Sequence, residues 1–522
     1  MDQSYRIRSR QHTCTAACNH AALEETGFFD ALESGALSAA EPGAALHQTP
    51  LTEDFQAEAK ARRVNATRRI LLKGGTIISM DPAIGDLACG DILIEGDRIL
   101  QVAPSIHAEA TVIDASEMIV LPGFCDPHIH CWEGQLGRFI PNNMSTVNED
   151  KGLPEPNPHP TRAYIPVLHH KIAPVYRPED SYIGTLATLL GALNGGITTV
   201  CDNAHNSRSA EHADAGIAAL FDSGVRGIHA YGRPQMGDWS EIYPKDAYRL
   251  KREYFSSDDQ LQTMRFYMVG RYPTDEIRAV SRVRRDLGIW LTFDSGLETQ
   301  PLEQLFAEGT FDGRETINHG TWMPLEMRRL IADHGVKVNV CPRIESQFRF
   351  GDIPYQDWID VGIRPAISND NPTTYAISMF HEMRSLYAYQ RARVHREKLA
   401  GMTTLPKLVT QRDMLESATI GGAENCALDH KTGSLTPGKQ ADIILINAGT
   451  IDLYPKNNAL CTAVQGADAG SVDTVFVAGR LMKWKGCLVG LDLPRIRSEM
   501  VKSRDHIYSA VEWPHGMIDF ED

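Results

Sequence analysis

Short apolar runs recur along the middle of the chain at intervals of roughly one helix. Between residues 120 and 430 they read "MIVLPGFCDP", "GITTVCDN", "VRGIHAYG", "MRFYMVG", "IWLTFD", "ETINHG", "VKVNVCP" and "IRPAISND". The stretches between them carry helical spacing of apolar residues, as in "YIGTLATLLGALNGG" and "PLEMRRLIADHG",. Eight strands alternating with helices predict a parallel sheet, and eight is the number that closes a (β/α)8 barrel. A second texture flanks this region. "RRILLKGGTIISM", "GDILIEGDRILQVA" and "ATVIDASEMIVLPG" precede it, and "TGSLTPGKQADIILIN" and "SVDTVFVAGRLMKWKG" follow it. These are β-branched runs broken by Gly and Asp, which predict antiparallel strands and tight turns. The expected fold is therefore α/β: a TIM-like barrel over 121–430, with a small composite β-sandwich from 66–120 and 431–490. Residues 1–65 form an extension of unread role, and 491–522 a C-terminal tail.

Composition narrows the partners. A net charge of −15 over 522 residues gives nucleic acid or an anionic membrane no long-range attraction,. No run approaches the roughly 18 apolar residues of a membrane span, and no secretory signal pattern opens the chain. Ten cysteines, placed singly as in "TTVCDN" and "VNVCPR", read as free thiols in a reducing compartment,. Together these predict a cytoplasmic protein with a small-molecule substrate and neither a nucleic-acid nor a membrane partner. The "HTCTAACNH" cluster (His12, Cys14, Cys18, His20) has metal-ligand residue types but lacks the longer loop between ligand pairs of a zinc finger,. A loosely packed leader is expected there.

Candidate chemistry gathers at the strand ends. His128 and His130, Asp202 and His205, His229, Asp294, His319 and Asp370 all lie at or near the C-terminal ends of predicted strands. That is the face where barrels of this kind place their sites. Two residues apart on a strand, His128 and His130 point to one side and can bind one metal ion. "YGRPQMGDW" and "CPRIESQFRFGDIP" put Arg233, Arg343, Glu345, Gln347 and Arg349 in loops at the same mouth, where the arginines could hold an anionic group,. The Pro-rich stretch after the first strand, holding His169 and His170, has the length of a lid or an oligomer contact,.

"PGFCDPHIH", then "GITTVCD", "INHG", "AISND" and "GSLTPGKQADIILI", run in an order that resembles the amidohydrolase superfamily across residues 66 to 490. The similarity is closest to the branch of triazine hydrolases and of cytosine and thioadenosine deaminases. The resemblance implies a divalent metal on His128, His130, a histidine of the fifth strand and Asp370. Asp370 would take a proton from the attacking water, and His319 would contact the substrate or that water. Departures from the pattern stand at the fifth strand. Asp294 occupies the histidine position, and Leu297 falls where deaminases of this branch carry a proton-shuttling Glu, with Glu298 one place off. The fourth strand offers no Lys to bridge two metals.

The expected metal set is therefore His128, His130, Asp294 and Asp370. Zinc is the first choice, iron or manganese the alternatives, and a metal-free site the other outcome. The expected catalytic groups are Asp370, His319 and Asp294, with His205, His229, Arg233, Glu298, Arg343 and Gln347 as substrate contacts. The leading reading is a metal-dependent hydrolase of a C–N or related bond in a small cyclic molecule. A non-hydrolytic cyclase, decarboxylase, dehydratase or isomerase is the alternative, and a silent binding protein the third. A homodimer is expected from the family.

Overall fold

The structure is a computed structural model that describes residues 66–140, 163–295, 300–348 and 352–514. The His12–His20 cluster, Leu297, Glu298 and Arg349 lie outside the described residues. The chain opens with β1 (Arg69–Ile78), β2 (Asp86–Glu95), β3 (Arg98–Ala103), β4 (Thr111–Asp114) and β5 (Met118–Pro122). The barrel follows: β6 (Phe124–Ile129), β7 (Ile197–Ala204), β8 (Arg226–Tyr231), β9 (Thr263–Val269), β10 (Leu291–Ser295), β11 (Glu315–His319), β12 (Lys337–Val340) and β13 (Ala366–Ile367). These eight strands fall on the eight apolar runs and pair in parallel in sequence order. The ring is closed by backbone at the future site. Ile129 bridges Asp370, Asp370 N donates to His128 O at 2.9 Å, and His130 N donates to Asp370 O at 2.7 Å.

One predicted run divides. "MIVLPGFCDP" supplies both β5, which belongs to the flanking sheet, and β6, which opens the barrel. Gly123 makes the junction because a Cβ there would come within 2.1 Å of the Thr198 hydroxyl,. The flanking unit adds β14 (Ile443–Asn447), β15 (Val472–Val477), β16 (Arg480–Trp484) and β17 (Cys487–Leu488) to β1–β5 in one nine-stranded sheet. It is mixed rather than purely antiparallel, since β4 and β5 both run parallel to β1. Its own core joins both ends of the chain: Ile70, Ile92, Ile94 and Val120 pack with Ile443, Leu445, Phe476 and Leu481. A buried bidentate pair locks this sheet to the barrel, with Arg226 Nε and Nη2 donating to Asp442 at 2.7 and 3.0 Å,.

Two further expectations change. The region beyond residue 490 holds an 18-residue helix, Leu493–Ala510. Its Ser503 reaches Asp180 at 2.7 Å and receives Gln135 Nε2 at 3.2 Å, so it docks beside the first barrel helix, Pro178–Asn194. Buried free thiols are found at Cys125, Cys131, Cys201, Cys341 and Cys426, but Cys89 and Cys461 are exposed and Cys487 is disulfide-bonded. Among the described residues no helix is long and apolar enough to cross a membrane.

Candidate active site

Strand register brings the polar groups to one end of the barrel interior. His128 comes from β6 and His130 from just beyond its end, Asp294 from β10, His319 from the end of β11, and Asp370 from just beyond β13. His130 Nε2 lies 3.3 Å and His128 Nε2 3.7 Å from Asp370 Oδ1, while His319 Nε2 lies 3.6 Å from Asp370 Oδ2. Asp294 Oδ1 stands 3.6 Å from His128, but on its Nδ1 side. The two carboxylates thus flank the His128 ring instead of sharing one nitrogen. His319 and Asp370 both adopt positive φ, +66° and +72°. Non-glycine residues pay about 1–3 kcal/mol for such conformations, which persist where surrounding structure holds them and cluster at functional sites.

Asparagines and a tyrosine hold these groups in place. Asp294 accepts from Tyr267 Oη and from Asn318 Nδ2, each at 2.5 Å. Asn318 Oδ1 accepts from Asn339 Nδ2 at 2.5 Å, and Asn339 Oδ1 accepts from Ser368 Oγ at 2.7 Å. Asp294, Asn318 and Asn339 are aligned neighbours on β10, β11 and β12, so the ladder follows directly from register,. Asp126 accepts from Asn369 Nδ2 at 2.6 Å, and burial pushes its carboxyl up to about 8. Asn203, from β7, contacts His128 Nδ1.

That last contact bears on metal binding. His128 Nε2 is buried without a hydrogen-bond partner, as is Asn203 Oδ1. With the amide turned so that Oδ1 accepts from Nδ1–H, Nε2 presents a free lone pair toward Asp370. His128, His130 and Asp294 offer ligand atoms all within 4.8 Å of one another, and so do His128, His319, Cys341 and Asp370. Nitrogen and carboxylate donors of this kind fit a divalent cation. Cys341 was not anticipated. Burial raises its thiol well above the usual value, and it contacts Ser368 Oγ at 3.2 Å.

Electrostatics separates acid from base. Burial disfavours the charged form of Asp370, but the adjacent His128 and His130 rings outweigh it and hold the carboxyl well below its ordinary value. Burial likewise opposes protonation of His130, yet Asp370 and Glu133 bring its pKa up to about 9. For His319, burial is overcome by Glu345 and Asp370, and the pKa is raised. His319 Nδ1–H donates to Glu345 Oε1 at 3.3 Å, and Glu345 also accepts from Cys341 N at 2.9 Å.

The remaining predicted contacts divide. His205 joins the cluster, its Nε2 2.9 Å from His130 Nδ1 and its ring stacked 4.9 Å from Tyr267. His229 does not. β8 turns it outward, toward Gly216 of helix Ala210–Ser223 and the ring of Phe255. Arg233 is bound by Glu276 at 2.5 and 2.8 Å and lies between the rings of Trp239 and Tyr272. Arg343 is held by Glu382 at 2.6 Å and Asn369 at 2.9 Å over the Tyr375 ring. Both guanidiniums are occupied by protein partners. Gln347 is exposed at the end of helix Pro342–Gln347.

Several groups escaped the sequence. Tyr267 sits in "MRFYMVG", a run that offers no Lys, and Asn203 sits two residues before His205 in "CDNAHN". Trp132, Glu133 and Tyr164 come from the segment after β6 and wall the mouth around His205, together with His169 of the stretch expected to be a lid or an oligomer contact. For the asparagines a signal existed: polar residues one strand step from predicted site residues, inside otherwise apolar strands.

This fold and this constellation define the chain's class. It belongs to the amidohydrolase family, whose model matches residues 119–482. It is 26% identical over 451 residues to the 5-methylthioadenosine/S-adenosylhomocysteine deaminase of Pyrococcus horikoshii, covering 82% of this chain and 97% of that one. It is 25% identical to the 5'-deoxyadenosine deaminase of Methanobrevibacter smithii, covering 81% and 94%. Among solved structures, a zinc-bound adenosine deaminase from Xanthomonas campestris superposes with a TM-score of 0.70 at 20% identity, over 85% of this chain and 99% of that one. The zinc complex of atrazine chlorohydrolase from Arthrobacter aurescens does so at 0.69 and 21%, over 83% and 99%. The chain is an amidohydrolase-family hydrolase with a site suited to a divalent metal.

Proposed function

We propose that this protein hydrolyses the bond between a ring carbon and an exocyclic nitrogen in a small nitrogen heterocycle, with zinc as its metal. The observation that carries this is the convergence of His128, His130, His319 and Asp370 at a barrel mouth walled by Trp132, Tyr164 and Tyr267. Flat aromatic walls suit a flat ring. The relatives named for deamination of adenosine derivatives support the same substrate class.

A divalent cation held by His128, His130 and Asp370, with Asp294 as the remaining candidate ligand, would supply Lewis acidity at the attacking water,. Asp370, kept ionised by its two histidines, accepts the proton of that water at Oδ2, the oxygen facing His319,. His319 carries its proton on the strength of Glu345 and Asp370 and delivers it to the leaving nitrogen. Trp132 and Tyr267 orient the ring and narrow the access of bulk water.

Ammonia release from a panel of aminopurine nucleosides and amino-substituted triazines, measured with metal content, tests the reading. Turnover lost on chelation and regained with zinc is expected. Asp294→His is expected to retain zinc at least about tenfold more tightly, since it adds a third imidazole, a ligand type that suits zinc, to His128 and His130. Asp294 also favours a second reading. Turnover of a substrate without water consumption, unchanged by exhaustive chelation, would assign non-hydrolytic acid–base chemistry to Asp294 and Asp370 instead.

A further inference from the structure

His130 faces two groups of side chains. Its Nε2 points to Asp370, while its Nδ1 points away, to His205 Nε2 at 2.9 Å. Beyond that contact lies Glu133, one turn after His130, and the ligand atoms of His130, Glu133 and His205 all stand within 4.8 Å of one another. All three are buried, at 5%, 0% and 1% exposure. Glu133 Oε1 accepts from Tyr164 Oη at 2.6 Å, but its Oε2 is buried without a partner. His169 Nε2, from the same insertion, is buried without one too, and its ring centroid lies 5.3 Å from that of His205.

Nothing in the hydrolytic reading uses Glu133, and its position is not accidental. Segment Cys131–Leu136 is pressed onto helix Pro178–Asn194 through Gly134 and Gly184. A Cβ on Gly184 would come within 2.1 Å of Trp132 O, and one on Gly134 within 2.3 Å of Gly184 O. This approach sets Glu133 against His205, which arrives from the end of β7. A buried carboxyl oxygen with no hydrogen-bond partner costs about 1–3 kcal/mol. A cation removes that penalty.

We propose that His130 Nδ1, His205 Nε2 and Glu133 Oε2 form a second divalent-cation site, separate from the Asp370 side and suited to zinc. Two imidazoles and a carboxylate are a zinc donor set, and ligand bonds of about 2.0–2.2 Å require the two rings to part only slightly. The cation replaces the proton shared between the rings, which leaves to solvent, and displaces the 3.4 Å contact from Trp132 Nε1,. When both sides are filled, His130 bridges the two ions as an imidazolate. Tyr164 orients Glu133 from behind, as outer partners of ligating carboxylates do.

Crystals of the wild-type protein grown with zinc, with an anomalous difference map at the zinc edge, give the direct test. A peak within about 2.3 Å of both His205 Nε2 and Glu133 Oε2 is expected. A map that shows zinc only on the Asp370 side overturns the proposal. In solution, Glu133→Gln and His205→Gln should each weaken zinc at this position at least about tenfold while leaving zinc on the Asp370 side, and unchanged retention of every equivalent overturns it. The wild-type map decides the matter if neither variant folds.

Discussion

His128 and His229 are both fully buried histidines on barrel strands, two strands apart, and they have opposite surroundings. His128 faces the barrel interior among Asp370, Asp294, Asn203 and His130. His229 faces the helix layer, and neither of its nitrogens has a hydrogen-bond partner among the described residues. The inner position surrounds an imidazole with groups that fix its tautomer and leave one nitrogen for a ligand. The outer position surrounds the same ring with Phe255, Tyr231 and Gly216, which only require it to stay neutral. A histidine at a barrel strand is thus a site residue or a packing residue according to the face it takes, and the two should respond oppositely to perturbation.

Breaking the inner side gives the largest effect. Asp370→Asn keeps the shape of the side chain but removes the base, and kcat should fall about 10³-fold, roughly 4 kcal/mol of barrier. A loss smaller than tenfold would mean that another group takes the proton. The outer side comes next. Burial alone lowers the His229 pKa to about 3. The unfolded chain binds a proton there below the ordinary value of 6.5, whereas the folded chain does not. His229 therefore leaves stability intact above 6.5 and removes it progressively as pH falls from 6.5 toward 3. Between pH 7 and pH 4 this group should cost about 3 kcal/mol. His229→Phe should abolish that part of the acid sensitivity and leave turnover unchanged, measured by denaturant midpoints across the range.

Much of this was legible in the sequence, and the exceptions share a cause. All eight barrel strands could be placed because buried parallel strands are continuous apolar runs bounded by turns. His128, His130, Asp294, His319 and Asp370 could be gathered because strand ends converge at one mouth. The face of a given residue could not be read. In "VRGIHAYG", Gly227, His229 and Tyr231 alternate with Arg226, Ile228 and Ala230, and both sets are buried, so no polar stripe marks the outside. The partners of the loop arginines could not be read for a different reason. A guanidinium near the mouth looks available until its partner is known, and Glu276 and Glu382 lie 43 and 39 residues away in the chain. Glu133 and His169 depend on a long insertion folding back over the barrel, which no strand pattern encodes.

A smaller test sharpens the inner side. Tyr267→Phe removes the phenol that donates to Asp294 without opening a cavity. If Asp294 ligates metal, loss of that partner should weaken zinc about tenfold, near 1.4 kcal/mol, with kcat at saturating zinc little changed. Metal affinity equal to wild type would detach Asp294 from the metal set.

The smallest effect is expected at Arg233, and it decides whether mouth arginines hold substrate. Its guanidinium spends its donors on Glu276 and on the carbonyl of Pro234, and Trp239 and Tyr272 cover both ring-facing sides. An incoming carboxylate would have to displace Glu276 from a bidentate contact, which a free anion of equal charge gains little by doing. Arg233→Met keeps the apolar stem between the two rings and removes only the charge. KM should then stay within about threefold, roughly 0.7 kcal/mol, while stability falls by no more than about 1 kcal/mol because Glu276 can turn to water. A tenfold rise in KM at constant kcat would return Arg233 to the substrate contacts and show that Glu276 yields to substrate. Such a rise would also erase the contrast drawn from the two histidines, because a residue satisfied by protein partners would then be serving the site.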